Sequence, residues 1–106
     1  MNSEARFAVI FRSRRREDSD GSYERAADRM LELARQQDGF VDASSVRDHT
    51  RRGITVSYWR DLESIKRWYE DEEHRTVQEQ GREHWYSQYD VEVCKIEGAY
   101  SFKSGS

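Results

Sequence analysis

A chain of 106 residues has room for one domain, and with a mean hydropathy of −1.12 it contains no apolar run long enough to span a bilayer. Charged residues make up 37% of it but nearly cancel to a net charge of −3, which excludes the strong basic field that nucleic-acid binding needs. A lone Cys94 excludes an internal disulfide framework, and the polar opening Met1 to Arg6 lacks the apolar stretch of a signal peptide, so a cytoplasmic setting is expected. Leu is rare, while Trp, Tyr and Phe number 3, 6 and 4, so the core must be built largely from aromatic side chains. A small domain with so thin a core gains burial by pairing with another copy.

Arg6 to Arg12 is rich in strand formers and predicts a first strand, and Ser13 to Gly21, charged and almost free of apolar residues, predicts a loop. Tyr23, Ala26, Ala27, Met30, Leu31 and Ala34 then recur at helical spacing. Ser22 suits the N-cap of that helix, Glu24 its first turn, and Gly39 its stop. Phe40 to Asp48 alternates weakly, with Val41, Ala43 and Ser45 on one side and Phe40, Asp42, Ser44 and Val46 on the other. After a polar turn, Ile54, Val56 and Tyr58 alternate with Thr55, Ser57 and Trp59, so two further strands form a hairpin.

Asp61 can cap a second helix whose inner face is Leu62, Ile65, Trp68 and Tyr69. The acidic run Glu70 to Glu73 interrupts that stripe and predicts a bend or break, after which His74, Val77, Gln78, Gly81 and Trp85 mark a further helical piece. Tyr89, Val91 and Val93 alternate with Asp90, Glu92 and Cys94 in a fourth strand, extendable through Ile96 to Tyr100 and Phe102, before a polar tail. The order is β-α-β-β-α-β, so the fold class is α+β: a ferredoxin-like unit spanning residues 1–106, core about 6–102, with a four-stranded antiparallel sheet and both helices on one face. Apolar residues on both sides of so few strands predict that the helix-free face meets a second sheet, in a homodimer.

Gly53-Ile54-Thr55-Val56-Ser57-Tyr58-Trp59, then Trp68, Glu73-His74, Gly81-Arg82 and Trp85-Tyr86, resemble in order and spacing the antibiotic biosynthesis monooxygenase family. Phe40-Val41 after Gly39 and the stretch Glu97 to Phe102 extend the resemblance over roughly Phe7 to Phe102. It implies a dimeric α+β barrel, two ferredoxin-like protomers packed sheet to sheet. Members of that family include oxygenases of aromatic polyketides that use no metal and no prosthetic group, haem-degrading enzymes, and proteins without known activity. The haem-degrading branch resembles this chain at Trp59 and Trp68, nine residues apart, but places a ligating histidine where Gln78 stands and an asparagine where Phe11 stands. The resemblance therefore favours a cofactor-independent monooxygenase of a small aromatic or polyphenolic compound, with no cofactor expected; a non-catalytic ligand-binding module and a haem-degrading enzyme are the alternatives.

His74 is the candidate general base, because a histidine titrates near neutrality; the plainer reading makes it a capping residue behind the acidic run. Arg82 and Tyr86 are candidates to stabilise negative charge, with ion pairing of Arg82 to Glu79, Glu83 or Asp90 as the structural alternative. Tyr58, Trp59, Trp68, Gln78 and Trp85 are candidate walls of a substrate pocket, set against a purely core role. Three scattered histidines and one cysteine show no metal-ligand spacing, so no metal site is expected.

Overall fold

A computed structural model of the chain describes residues 5–17 and 21–105. Four strands, β1 (Phe7–Arg15), β2 (Phe40–Arg47), β3 (Arg52–Trp59) and β4 (Tyr86–Lys95), form one antiparallel sheet in the order β2-β3-β1-β4. Helices α1 (Ser22–Arg35), α2 (Leu62–Glu70) and α3 (Glu72–Gln80) supply the α-layer, and a π-helical turn, Gly81–Trp85, leads into β4. This is the ferredoxin-like α+β topology expected from the element order. No helix among the described residues is long and apolar enough to cross a membrane.

The strands run longer than their apolar cores. β1 continues to Arg15, into the stretch expected to be a loop, because its backbone pairs with β3 through Arg14↔Arg52 and with β4 through Arg15↔Tyr86. Ladder bonds on both sides of a central strand outweigh the poor strand propensity of arginine. The rest of that predicted loop includes residues 18–20, outside the described ones. β4 ends at Lys95 rather than running on. From residue 96 to 105 the chain has no regular structure, and Tyr100 and Phe102 are exposed.

Capping follows the sequence for α2 and departs from it for α1. Asp61 Oδ1 accepts from Ser64 N at 2.8 Å and from Ser64 Oγ at 2.6 Å, which satisfies the first turn of α2. Ser22 is not the N-cap of α1: Gly21 takes that position in a left-handed conformation, and the Ser22 hydroxyl accepts from Trp85 Nε1 at 2.9 Å instead. Gly39 stands four residues past the end of α1 and is required by close approach. At φ +93° it admits α2 so tightly that an added Cβ would lie 1.9 Å from Ser64 Oγ. Asp71, with ψ 130°, breaks the helix between α2 and α3 and caps the second piece by accepting from His74 N at 3.0 Å.

Val9, Leu33, Ala34, Trp59, Ile65 and Trp68 form the buried core between sheet and helices, flanked by Phe7, Met30, Phe40 and Tyr69. Leu62, expected on the inner face of α2, is exposed at its first position. A register shift between Phe40 and Asp42 in β2 lets Phe40 stand on the helix side together with Ala43 and Ser45. Thr55, Ser57 and Trp59 of β3 face the helices, and Ile54, Val56 and Tyr58 face away from them.

Candidate active site

A cavity of about 450 Å³ lies between the sheet and the helical layer. Its sheet side is Val9 and Phe11 of β1, Ala43, Ser45 and Arg47 of β2, and Thr55, Ser57 and Trp59 of β3. Its helical side draws on Tyr23 and Met30 of α1, Trp68 and Tyr69 of α2, and His74, Val77 and Gln78 of α3. Trp85, Tyr86 and Tyr89 close one end. That volume is ample for a small multi-ring ligand, and walls with few polar groups are what such ligands require.

The aromatic rings are keyed to one another. Trp59 lies 6.2 Å from Trp68 and meets Phe40 edge-on at 5.4 Å. Tyr23 meets Trp85 at 6.2 Å and Tyr86 at 5.8 Å, both edge-on, and Phe11 stacks on Tyr89 at 5.3 Å. The indole N–H of Trp59 donates to Ser57 Oγ at 2.9 Å, and that of Trp85 is satisfied by Ser22. Two of the three indole N–H groups are thus satisfied within the protein.

His74 is the polar exception. It is 4% exposed, with its ring 4.3 Å from Trp68 and 5.1 Å from Tyr69. Its Nδ1 is fully buried and has no hydrogen-bond partner. Burial pushes its pKa down to about 4, with nearby Asp71 pulling weakly the other way, so the imidazole is neutral at pH 7. A buried nitrogen left without a partner costs stability.

Tyr86 is held neutral. Burial raises its pKa first, and the adjacent Tyr23, to which it hydrogen-bonds, raises it further. Its ring packs on Gly81, where an added Cβ would lie 3.0 Å from Cε2, and a π-helical turn begins at that glycine. Tyr69 is likewise pushed up to about 12, by burial and then by Tyr89. Both phenols can donate hydrogen bonds at neutral pH without ionising.

Of the residues singled out from the sequence, His74, Tyr86, Trp59, Trp68, Gln78 and Trp85 all border this cavity. Two do not. Tyr58 stands on the helix-free face, because the alternation that turns Trp59 inward turns its neighbour outward. Arg82 is exposed on the π-helical turn and donates to Tyr89 Oη at 3.0 Å, a contact that raises its pKa. That tyrosine, rather than a carboxylate, is its hydrogen-bond partner. Arg47, Tyr23, Tyr69 and Tyr89 also border the cavity, although the sequence marks Tyr23 and Tyr69 only as helix-face residues and Tyr89 only as a strand residue. Arg47 shares the alternation of Ala43 and Ser45 along β2, which was the signal that placed it inward.

Gln78 and Phe11 both border the cavity, at the positions where the haem-degrading branch carries its ligating histidine and its asparagine. An amide is a poor iron ligand and a phenyl ring offers no donor, so these residues do not fit a haem. Among the described residues no group of three or more His, Cys, Asp or Glu side chains could hold a metal ion.

The class that these features define is a ferredoxin-like α+β domain with an aromatic cavity between sheet and helices and one buried imidazole in its wall. The model of the antibiotic biosynthesis monooxygenase family matches residues 6–80, and the chain belongs to that family. It is 41% identical over 100 residues to the uncharacterized protein YqjZ of Bacillus subtilis, covering 94% of this chain and 87% of that one. It is 29% identical over 92 residues to the jasmonate monooxygenase ABM of Pyricularia oryzae, covering 85% of this chain but only 43% of the fungal enzyme. Among solved structures, SnoaB, a cofactor-independent oxygenase from Streptomyces nogalater, superposes with a TM-score of 0.75 at 13% identity, over 90% of this chain and 96% of that one. PA3566 from Pseudomonas aeruginosa does so with a TM-score of 0.73 at 14% identity, over 89% and 96%. At such identities these two similarities speak to the fold alone.

Proposed function

We propose that the chain is a cofactor-independent monooxygenase that oxidises a small aromatic or polyphenolic compound inside the cavity. The observation that carries this reading is His74 Nδ1, buried and unpartnered beside an aromatic-walled space. A flat substrate stacks between Trp68, Trp59 and Trp85 and presents an acidic methylene or phenol to His74. His74 accepts that proton, and the carbanion formed gives its electrons to dioxygen. For a methylene conjugated through aromatic rings with a ring ketone across from it, as in anthrone, dioxygen adds at that carbon to give a peroxide. Loss of water then leaves a carbonyl: two C–H bonds break, one oxygen atom stays on carbon, and the other leaves with both hydrogens. Tyr86, kept protonated by its burial, stands with Tyr23 toward the other end of the cavity and donates there to a substrate oxygen remote from His74. Arg82 supports this arrangement from outside by fixing Tyr89. The name of the fungal relative, a jasmonate monooxygenase, supports the reaction class.

The test is oxygen uptake with anthrone, whose conversion to anthraquinone consumes one dioxygen and releases one water. His74→Ala is expected to lower turnover by a factor of about 100, the low end of what a positioned base contributes. Unchanged turnover removes His74 from the mechanism. A second reading has its own observation: a histidine with a pKa of about 4 is a weak base. It favours a non-catalytic ligand-binding module, which would bind anthrone without consuming oxygen. In either reading the protein is a homodimer joined through the helix-free sheet face, in a cytoplasmic setting.

A further inference from the structure

The cavity is chemically lopsided. One end carries the imidazole, where Trp59, Trp68 and His74 meet. Arg47 lies toward the other end of the same strands. Trp59 pairs with Phe40, whereas Arg47 pairs with Gly53, six residues further along β3 and about 20 Å away at 3.3 Å per residue. Between the two ends run the hydroxyls of Ser57, Thr55 and Ser45, the last two hydrogen-bonded at 2.7 Å.

The Arg47 guanidinium is held in place without being neutralised. Its Nη2 donates to Tyr23 Oη, and its Cζ lies 4.7 Å from the centre of the Tyr23 ring. It crosses Gly53, where an added Cβ would meet Cζ at 3.7 Å. No carboxylate pairs with it among the described residues, whereas Arg12, Arg29, Arg51 and Arg60 each hold one. Arg15 stacks on the same Tyr23 ring at 3.7 Å. Asp28 of α1, the carboxylate that also borders the cavity, is exposed, as Arg47 is, and forms no ion pair with it. A guanidinium has five N–H donors in a planar fork matched to a carboxylate, and a single phenol leaves most of them for a ligand.

We propose that this end is an anion subsite and that the compound taken by the cavity is an aromatic carboxylic acid. Arg47 holds the carboxylate, Tyr23 positions Arg47, and the reacting ring lies toward Trp68 and His74. This deepens the reading given above and rests on it only for the identity of the cavity as the substrate site.

Calorimetric titration with 2-naphthoic acid and with its neutral isostere 2-naphthamide tests the subsite without reference to turnover. The acid is expected to bind at least tenfold more tightly than the amide at pH 7. Arg47→Gln should erase that difference while leaving the affinity for the amide within twofold. Tyr23→Phe, which keeps the ring but frees the guanidinium, should weaken the acid by less than Arg47→Gln does. Raising the salt concentration should weaken the acid alone. Equal affinity for acid and amide, equal loss of both in Arg47→Gln, or no binding of the acid at millimolar concentration overturns the subsite. A failure of the oxygenase reading shows itself separately, as absence of oxygen uptake in a protein that still tells acid from amide.

Discussion

At the scale of single residues, His74 links site and stability. Its imidazole is buried in the folded chain with a pKa near 4, against about 6.5 for a free histidine. Between those values the unfolded chain takes up a proton that the folded chain refuses. Stability therefore falls as pH drops from 6.5 toward 4 and is unaffected by this group above that window. Between pH 7 and pH 5 the native protein should lose about 1–2 kcal/mol more than His74→Gln does, once partial solvent access is allowed for. Urea melts of the two proteins at both pH values give the difference directly, and parallel losses would mean that His74 is not a neutral buried group. His74 was legible as a candidate from its spacing with Gln78 and Trp85 on one helical face. Its lost basicity was not, because burial under Trp68 and Tyr69 is a property of the packed chain.

At the scale of elements, the α2–α3 break shows what local sequence can and cannot fix. The acidic interruption from Glu70 to Glu73 predicted a break, and it falls at Asp71, whose carboxylate caps the following helix through His74 N. That one cap sets the first turn of α3 and with it the direction of the imidazole. Asp71→Ala should cost about 1 kcal/mol of stability, the usual worth of an N-cap, and should depress oxygen uptake as His74 loses its seat. Asp71→Asn keeps the acceptor and should restore both. Chemical denaturation with oxygen uptake separates the possibilities, since a lowered rate in Asp71→Asn at full stability would assign the role to the charge instead of the cap. The same local logic misread α1, where Ser22 suits a cap but its hydroxyl is claimed by Trp85, a residue 63 positions away. The inward turn of Arg47 onto Tyr23, across 24 positions, escaped for the same reason.

At the scale of the whole molecule, element order was readable because each segment carries its own period, 3.6 for the helices and 2 for the strands. The face on which each period lands was harder to read. β3 is the clearest case: its aliphatic set, Ile54 and Val56, joins Tyr58 away from the helices, while the more polar Thr55 and Ser57 line the cavity. Ile10 of β1 pairs directly with Val56, so a strip of apolar side chains runs along the centre of a face that no helix covers. Ile54 is 42% exposed and Val46, its neighbour on β2, 70%. Arg12 and Glu92 pair at 2.5 Å beside the strip, a polar margin of the kind that rims an interface. A second copy laid on this face would bury the strip and complete the thin core that the composition implies. Val56 lies on an inner strand at the middle of that face, so Val56→Glu places a charge where a partner sheet would sit. Light scattering at micromolar concentration is expected to give twice the 12.7 kDa chain mass for the native protein and the single mass for Val56→Glu. The variant should keep its helical circular dichroism, because the substituted side chain faces away from the helices. A native protein that scatters as a single chain would mean that the strip is left to water, and a dimeric variant would place the interface on another surface.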